Sequence, residues 1–156
     1  MLIYVDPPQA RNESLTPDSV FSIAVKLDSI ADHAGIVSVQ FDLSWNSTLL
    51  ECINMTEVMF HEVTPLGEWE NMYWEKGVDN NLGCLFYSCF VFNSSKAESG
   101  GCEPIFGNHT LSIITFRAKT IGRCTLHLFD CVPLQQSAPR WDQMLYAAVD
   151  GHFSNM

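Results

Sequence analysis

The stretch Val37-Ser38-Val39-Gln40-Phe41-Asp42-Leu43-Ser44-Trp45 alternates without a break. Val37, Val39, Phe41, Leu43 and Trp45 fall on one side of an extended chain, and Ser38, Gln40, Asp42 and Ser44 on the other. A period of two marks a half-buried β-strand, because successive side chains leave a pleated strand on opposite faces. Asn46-Ser47 turns the chain into the next strand, Leu49 to Met55. Upstream lie Leu2 to Val5, closed by Pro7-Pro8, which cannot donate to a ladder, and Val20 to Leu27. Downstream, Glu68 to Trp74 is an aromatic extended run, and Leu82 to Phe92 is almost continuously apolar, as in a strand buried on much of both faces. Leu111 to Ala118 and Thr125 to Phe129 follow, separated by Ile121-Gly122-Arg123, and Ala147 to Phe153 closes the set. Only Arg140 to Tyr146 reads as a helical turn, with Trp141, Met144 and Leu145 on one face.

Nine short strands with turn signals between them predict an all-β fold, a nine-stranded β-sandwich of jelly-roll topology. The 156 residues suffice for one domain with a sizeable core, so residues 1–156 are expected to be a single module. A net charge of −10 repels nucleic acid and anionic membrane surfaces, which sets nucleic-acid binding aside, and no membrane insertion is expected. The apolar run after Met1 is too short for a signal peptide or a membrane span, so the chain reads as an excised or mature module.

Cys52, Cys84, Cys89, Cys102, Cys124 and Cys131 form no CxxC pair, which argues against a zinc ribbon or a redox motif and for disulfides. Cys89 with Cys102 is the expected bridge. Cys124 and Cys131 fall on opposite faces of one extended strand and are expected to bond elsewhere, with Cys52 as a candidate partner. Five sequons, at Asn12, Asn46, Asn54, Asn93 and Asn108, exceed the roughly one expected by chance and each sits in or beside a turn-like segment. Cysteines, sequons and acidity together place the protein outside the cell or on its surface.

Chemistry is poorly supplied. Of Glu68, Glu70 and Glu75, two alternate on a single short strand, side by side instead of facing each other across a cleft, as a glycosidase pair would. The histidines form no HExxH or facial-triad spacing, and no G-x-S-x-G elbow or EF-hand loop is present. No enzyme, cofactor or metal is expected. Trp69, Tyr73 and Trp74 are flat rings that suit sugar faces, but alternation favours the core for Trp69 and Tyr73, with Trp74 on the opposite side.

The strand pattern resembles the cohesin family along nearly the whole chain. Leu2 to Val5 with Pro7-Pro8, then Phe21-Ser22-Ile23-Ala24-Val25, resembles the first two cohesin strands. Gln40-Phe41-Asp42-Leu43-Ser44-Trp45-Asn46 with Leu49-Leu50-Glu51 is similar to the family's F-x-L-x-Y-D-P-x-x-L-E stretch, with Asn46-Ser47 in place of Asp-Pro. Tyr73-Trp74-Glu75 leading to Gly83 looks like its fifth-to-sixth strand passage. Leu111-Ser112-Ile113-Ile114-Thr115-Phe116-Arg117-Ala118, then Gly122 and Thr125-Leu126-His127-Leu128, resembles its L-x-x-I-x-F-x-A/V…G-x-x-x-L-x-L signature, and Val149-Asp150-Gly151 its final strand.

The resemblance implies a protein ligand, dockerin, which needs calcium to fold and docks as helices on the sheet of strands three, five, six and eight. It implies partner-binding positions at Ser38, Gln40 and Asp42, with Gln40 where many cohesins carry an acidic residue. On the sixth strand either Phe86 and Ser88 or Leu85 and Tyr87 face outward, and periodicity does not decide between them. Two further functions are open. One is a structural subunit that assembles with copies of itself by lending its N-terminal strand to a neighbour's sheet edge. The other is a carbohydrate-binding module that takes polysaccharide at Trp69, Tyr73 and Trp74.

Overall fold

The computed structural model describes residues 1–11, 16–28, 36–58, 71–92, 107–137, 140–143 and 146–156. Its elements are β1 (Leu2–Asp6), β2 (Gln9–Arg11), β3 (Val20–Asp28), β4 (Ile36–Ser44), β5 (Leu50–Glu57), β6 (Asn71–Asp79), β7 (Cys84–Phe92), β8 (His109–Ala118), β9 (Arg123–Ser137), β10 (Arg140–Gln143), β11 (Ala147–Val149) and β12 (Gly151–Ser154). The strands form two sheets, ordered β11-β1-β3-β8-β5 and β2-β12-β9-β4-β7-β6, with β10 paired to β9. This is the all-β sandwich that the alternation predicts. Among the described residues no helix is long and apolar enough to cross a membrane.

Inward residues of both sheets make one core. Ile3, Val5, Ile23, Val25 and Phe116 from the first sheet meet Val39, Phe41, Leu43 and Tyr87 from the second. Aromatic rings join the layers: Phe21 stacks on Phe153 at 4.8 Å, and Trp45 meets Phe116 edge-on at 5.1 Å. Trp45 also donates its indole N–H to Leu50 O at 3.1 Å, so the corner between β4 and β5 is satisfied as well as packed.

Both terminal segments change sheets, which accounts for more strands than the nine expected. β1 pairs with β3 in the first sheet, and after Pro7-Pro8 the chain continues as β2 beside β12 in the second. Ala147 to Phe153 is not one strand but two. β11 runs parallel to β1, and β12 pairs with β9. Asp150 makes the break, because its carboxylate leaves the ladder to accept from Leu128 N at 2.9 Å. Gly151 then passes so close to Val5 that a Cβ would lie 2.5 Å from its Cγ1.

Two further expectations are corrected. Arg140–Gln143 is a strand and not a helical turn: it pairs antiparallel with Gln143 opposite Leu134 and Arg140 opposite Ser137. A ladder already extended by β9 satisfies these backbone groups directly, whereas one helical turn would leave them open. The second correction concerns side-chain parity on β9. Gln40 pairs with Val132 but Asp42 with Phe129, so β9 carries one extra residue there, with Asp130 at φ +46°. This bulge flips the faces beyond it. Cys124 and Cys131, seven apart, therefore both turn inward: Cys131 is 1% exposed, and Cys124 packs on the core.

The five described cysteines, Cys52, Cys84, Cys89, Cys124 and Cys131, are free thiols, and Cys102 lies outside the described residues. Neither the Cys89–Cys102 bridge nor a bond from Cys52 to Cys124 or Cys131 is formed. Cys89 points into the core, and β4 separates it from Cys131 on β9. Two strand spacings, about 9–10 Å, exceed disulfide reach. Burial pushes the Cys89 thiol up to about 12 and that of Cys131 up to about 11.

Candidate partner-binding face

The outer face of β9-β4-β7-β6 is built by strict alternation. Val39, Phe41 and Leu43 are fully buried, with Phe41 stacked on Tyr87 at 5.0 Å, so Ser38, Gln40 and Asp42 must leave β4 on the other side. All three are half-buried there. On β7, Leu85 and Tyr87 point inward, which settles the open choice for Phe86 and Ser88 as the outward pair. Phe86 is 36% exposed, so this apolar strand is covered on one face only.

Register arranges these side chains in rows. Gln40 lies between Ser88 of β7 and Val132 of β9, and Asp42 between Phe86 and Phe129. Ser38 is partly spent on its own sheet, since its hydroxyl donates to Cys89 O at 3.0 Å. Gly77 of β6 stands opposite Phe86, and a Cβ there would lie 2.4 Å from the ring. Because that position carries no side chain, Phe86 lies flat across β6. A shallow hollow of about 360 Å³ results, lined by Asp42, Gly77, Val78, Phe86 and Phe129.

Asp42 is the chemical centre of this hollow. Its Oδ1 is buried and has no hydrogen-bond partner, the one such side-chain atom among the described residues. Desolvation first, and the Asp130 carboxylate second, raise its pKa above the ordinary aspartate value. Asp79 and Asp130 lie exposed at the margin, and Asp150 pairs with His127 Nδ1 at 2.9 Å. The His127 ring stacks on Phe129 at 5.8 Å. An apolar platform with an acidic rim and an unsatisfied acceptor at its middle suits a protein surface that brings donors. A larger hollow of about 580 Å³ lies at the β9–β12 end, beside Arg123, Thr125 and His152, without a buried orphan atom among the described residues.

The other candidates lie elsewhere. Register sets Tyr73 opposite Phe90 and Trp74 opposite Cys89 in β6, while Trp69 lies outside the described residues. Glu75 is exposed opposite Ser88, and Glu68 and Glu70 lie outside. Among the described residues no group of three or more His, Cys, Asp or Glu is placed to hold a metal ion. Asn46, Asn54 and Asn108 are exposed, and Asn12 and Asn93 lie outside. Sequence reasoning missed Phe129 and Gly77. Phe129 was legible, since inward Leu126 and Leu128 force it outward; Gly77 was not, because its meaning depends on the register with Phe86.

No family model matches the chain, and no curated protein matches it. Solved structures do. A type I cohesin, the seventh of ScaB from Pseudobacteroides cellulosolvens, aligns with a TM-score of 0.69 at 15% identity, over 98% of this chain and 90% of its own. The sixth cohesin of scaffoldin B from Acetivibrio cellulolyticus, solved in complex with a dockerin, gives 0.64 at 19% identity, over 97% and 96%. A non-cellulosomal cohesin from the archaeon Archaeoglobus fulgidus gives 0.64 at 14% identity, over 97% and 88%. Matched from end to end by these domains, the chain carries the cohesin fold.

Proposed function

We propose that this domain is a non-catalytic binding module, working outside the cell or on its surface, that docks a dockerin-like protein on the outer face of β9-β4-β7-β6. The observation that carries the reading is Asp42, an acceptor with a buried, unpartnered oxygen between Phe86 and Phe129. Leaving such an atom unsatisfied costs about 1–3 kcal/mol, and a partner's hydroxyl, amide or cationic donor would recover it. Several of the similar structures were solved as cohesin–dockerin complexes, which supports the class of partner. Assembly by exchange of the N-terminal strand is less favoured, since β1 pairs within its own chain on both sides, with β3 and β11.

The test is capture from the source's extracellular fraction on immobilised domain, in calcium and then in EDTA. Calcium-dependent capture of a protein, lost in the Gln40→Arg, Asp42→Arg double variant, is the expected result. Calcium-independent recovery of the chain's own parent, or of polysaccharide alone, would overturn the reading.

A further inference from the structure

One edge strand of the first sheet is β5, which among the described residues pairs with β8 alone. Side chains from across the sandwich already occupy much of it. Asn80 gives its amide to Cys52 O at 2.9 Å and takes Cys52 N at 2.8 Å, standing in for a neighbouring strand. Lys76 donates to Met55 O. Between these two clamps lies Asn54, exposed, at the register shift where β5 bulges against β8. It opens the sequon Asn54-Met55-Thr56, and its Nδ2 donates to the Thr56 hydroxyl at 3.1 Å, so the amide nitrogen and the sequon hydroxyl share one exposed surface. Asn46, in the turn after β4, is also exposed. Its Oδ1 accepts from Thr48 N at 2.9 Å and Thr48 Oγ1 at 2.7 Å, which leaves Nδ2 as the end open to a donor.

We propose that Asn54 and Asn46 carry N-linked glycans, and that the glycan on Asn54 closes the β5 edge. The donor is a lipid-pyrophosphate-linked oligosaccharide. The amide nitrogen attacks the anomeric carbon and forms the C–N bond, the bond from that carbon to the phosphate oxygen breaks with its electron pair, and the lipid pyrophosphate leaves. One amide proton is given up. At Asn54 the first sugar has a seat: a hollow of about 350 Å³ between β5 and β6, beside Ile53, which is 40% exposed. A bulky hydrophilic chain there bars a second strand from the remaining edge groups. None of the sequons falls within β4, β6, β7 or β9, but the Asn54 hollow shares Gly77 and Val78 with the Asp42 hollow, so this sugar borders the β6 side of the docking face.

Glycopeptide mass spectrometry of the protein from its own extracellular source tests the assignment. Peptides holding Asn54 and Asn46 are expected to carry saccharide mass; an unmodified Asn54 peptide as the only form overturns the proposal. In a glycosylating secretory host, Thr56→Ala is expected to lose one glycan and Thr56→Ser to keep it, whereas no mass difference between the two overturns the Asn54 site. Circular dichroism checks that both variants remain folded.

Discussion

Asp42 shows what one residue can do when alternation forces it outward between two aromatic rings. Its folded pKa is raised, so between the unfolded value, about 3.9, and the folded one the native state binds more protons than the unfolded chain. Stability contributed at this site therefore rises as pH falls through the folded pKa, and the charged carboxylate opposes folding at neutral pH. Asp42→Asn is expected to raise the melting temperature at pH 7 and to lose that advantage at pH 3, as calorimetry at the two pH values would show. The same substitution is expected to weaken partner binding about tenfold, the equivalent of one lost hydrogen bond of about 1.4 kcal/mol, measurable by titration calorimetry. Thiol chemistry offers a second residue-level check. With burial holding Cys89 and Cys131 protonated, iodoacetamide at pH 8 is expected to spare both in the native protein and to label both after denaturation, read by peptide mass.

At the scale of elements, β5 and β9 matter most. Asn80 closes the β5 ladder with a single side chain, and Asn80→Ala exposes both backbone groups of Cys52. The expected cost is about 1–2 kcal/mol in urea unfolding, with association through the freed edge visible in light scattering of the unglycosylated protein. Strand existence was legible wherever the period of two ran clean, as in β4, β3 and β8. It failed at points where one residue changes the rules. The bulge at Asp130 inverts parity on β9, and no local pattern announces it, because Asp130-Cys131 reads as ordinary strand until the register with β4 is known. Likewise Asp150 splits the last strand through a bond to Leu128 N, a contact between positions far apart in sequence. Arg140–Gln143 showed helical spacing, but the tertiary offer of a β9 partner overrode it.

For the whole molecule, the candidate face follows from where the two sheets meet. Ser38, Gln40 and Asp42 could be assigned to the outside from sequence, since their neighbours are the core. That Asp42, alone among the described residues, keeps a buried unpartnered side-chain oxygen could not, because it depends on the register that sets Phe86 and Phe129 on the strands flanking it. Net charge adds a long-range component. With −10 on the chain and Asp79 and Asp130 exposed at the rim, a cationic partner would be steered toward the face. Its association rate is expected to fall several-fold between about 50 and 500 mM salt, with dissociation little changed, by surface plasmon resonance.

The two sheet-changing ends also bear on what happens under load. β1 and β2 run parallel to β11 and β12, with Leu2 opposite Ala147 and Arg11 opposite Ser154. Tension applied through residue 1 and residue 156 pulls such pairs along their length, so the cross-links must shear together instead of unzipping one by one. Forced unfolding is governed by the barrier and not by the equilibrium stability. Pulled from its ends, the domain should resist as a brittle tether that gives way in one step.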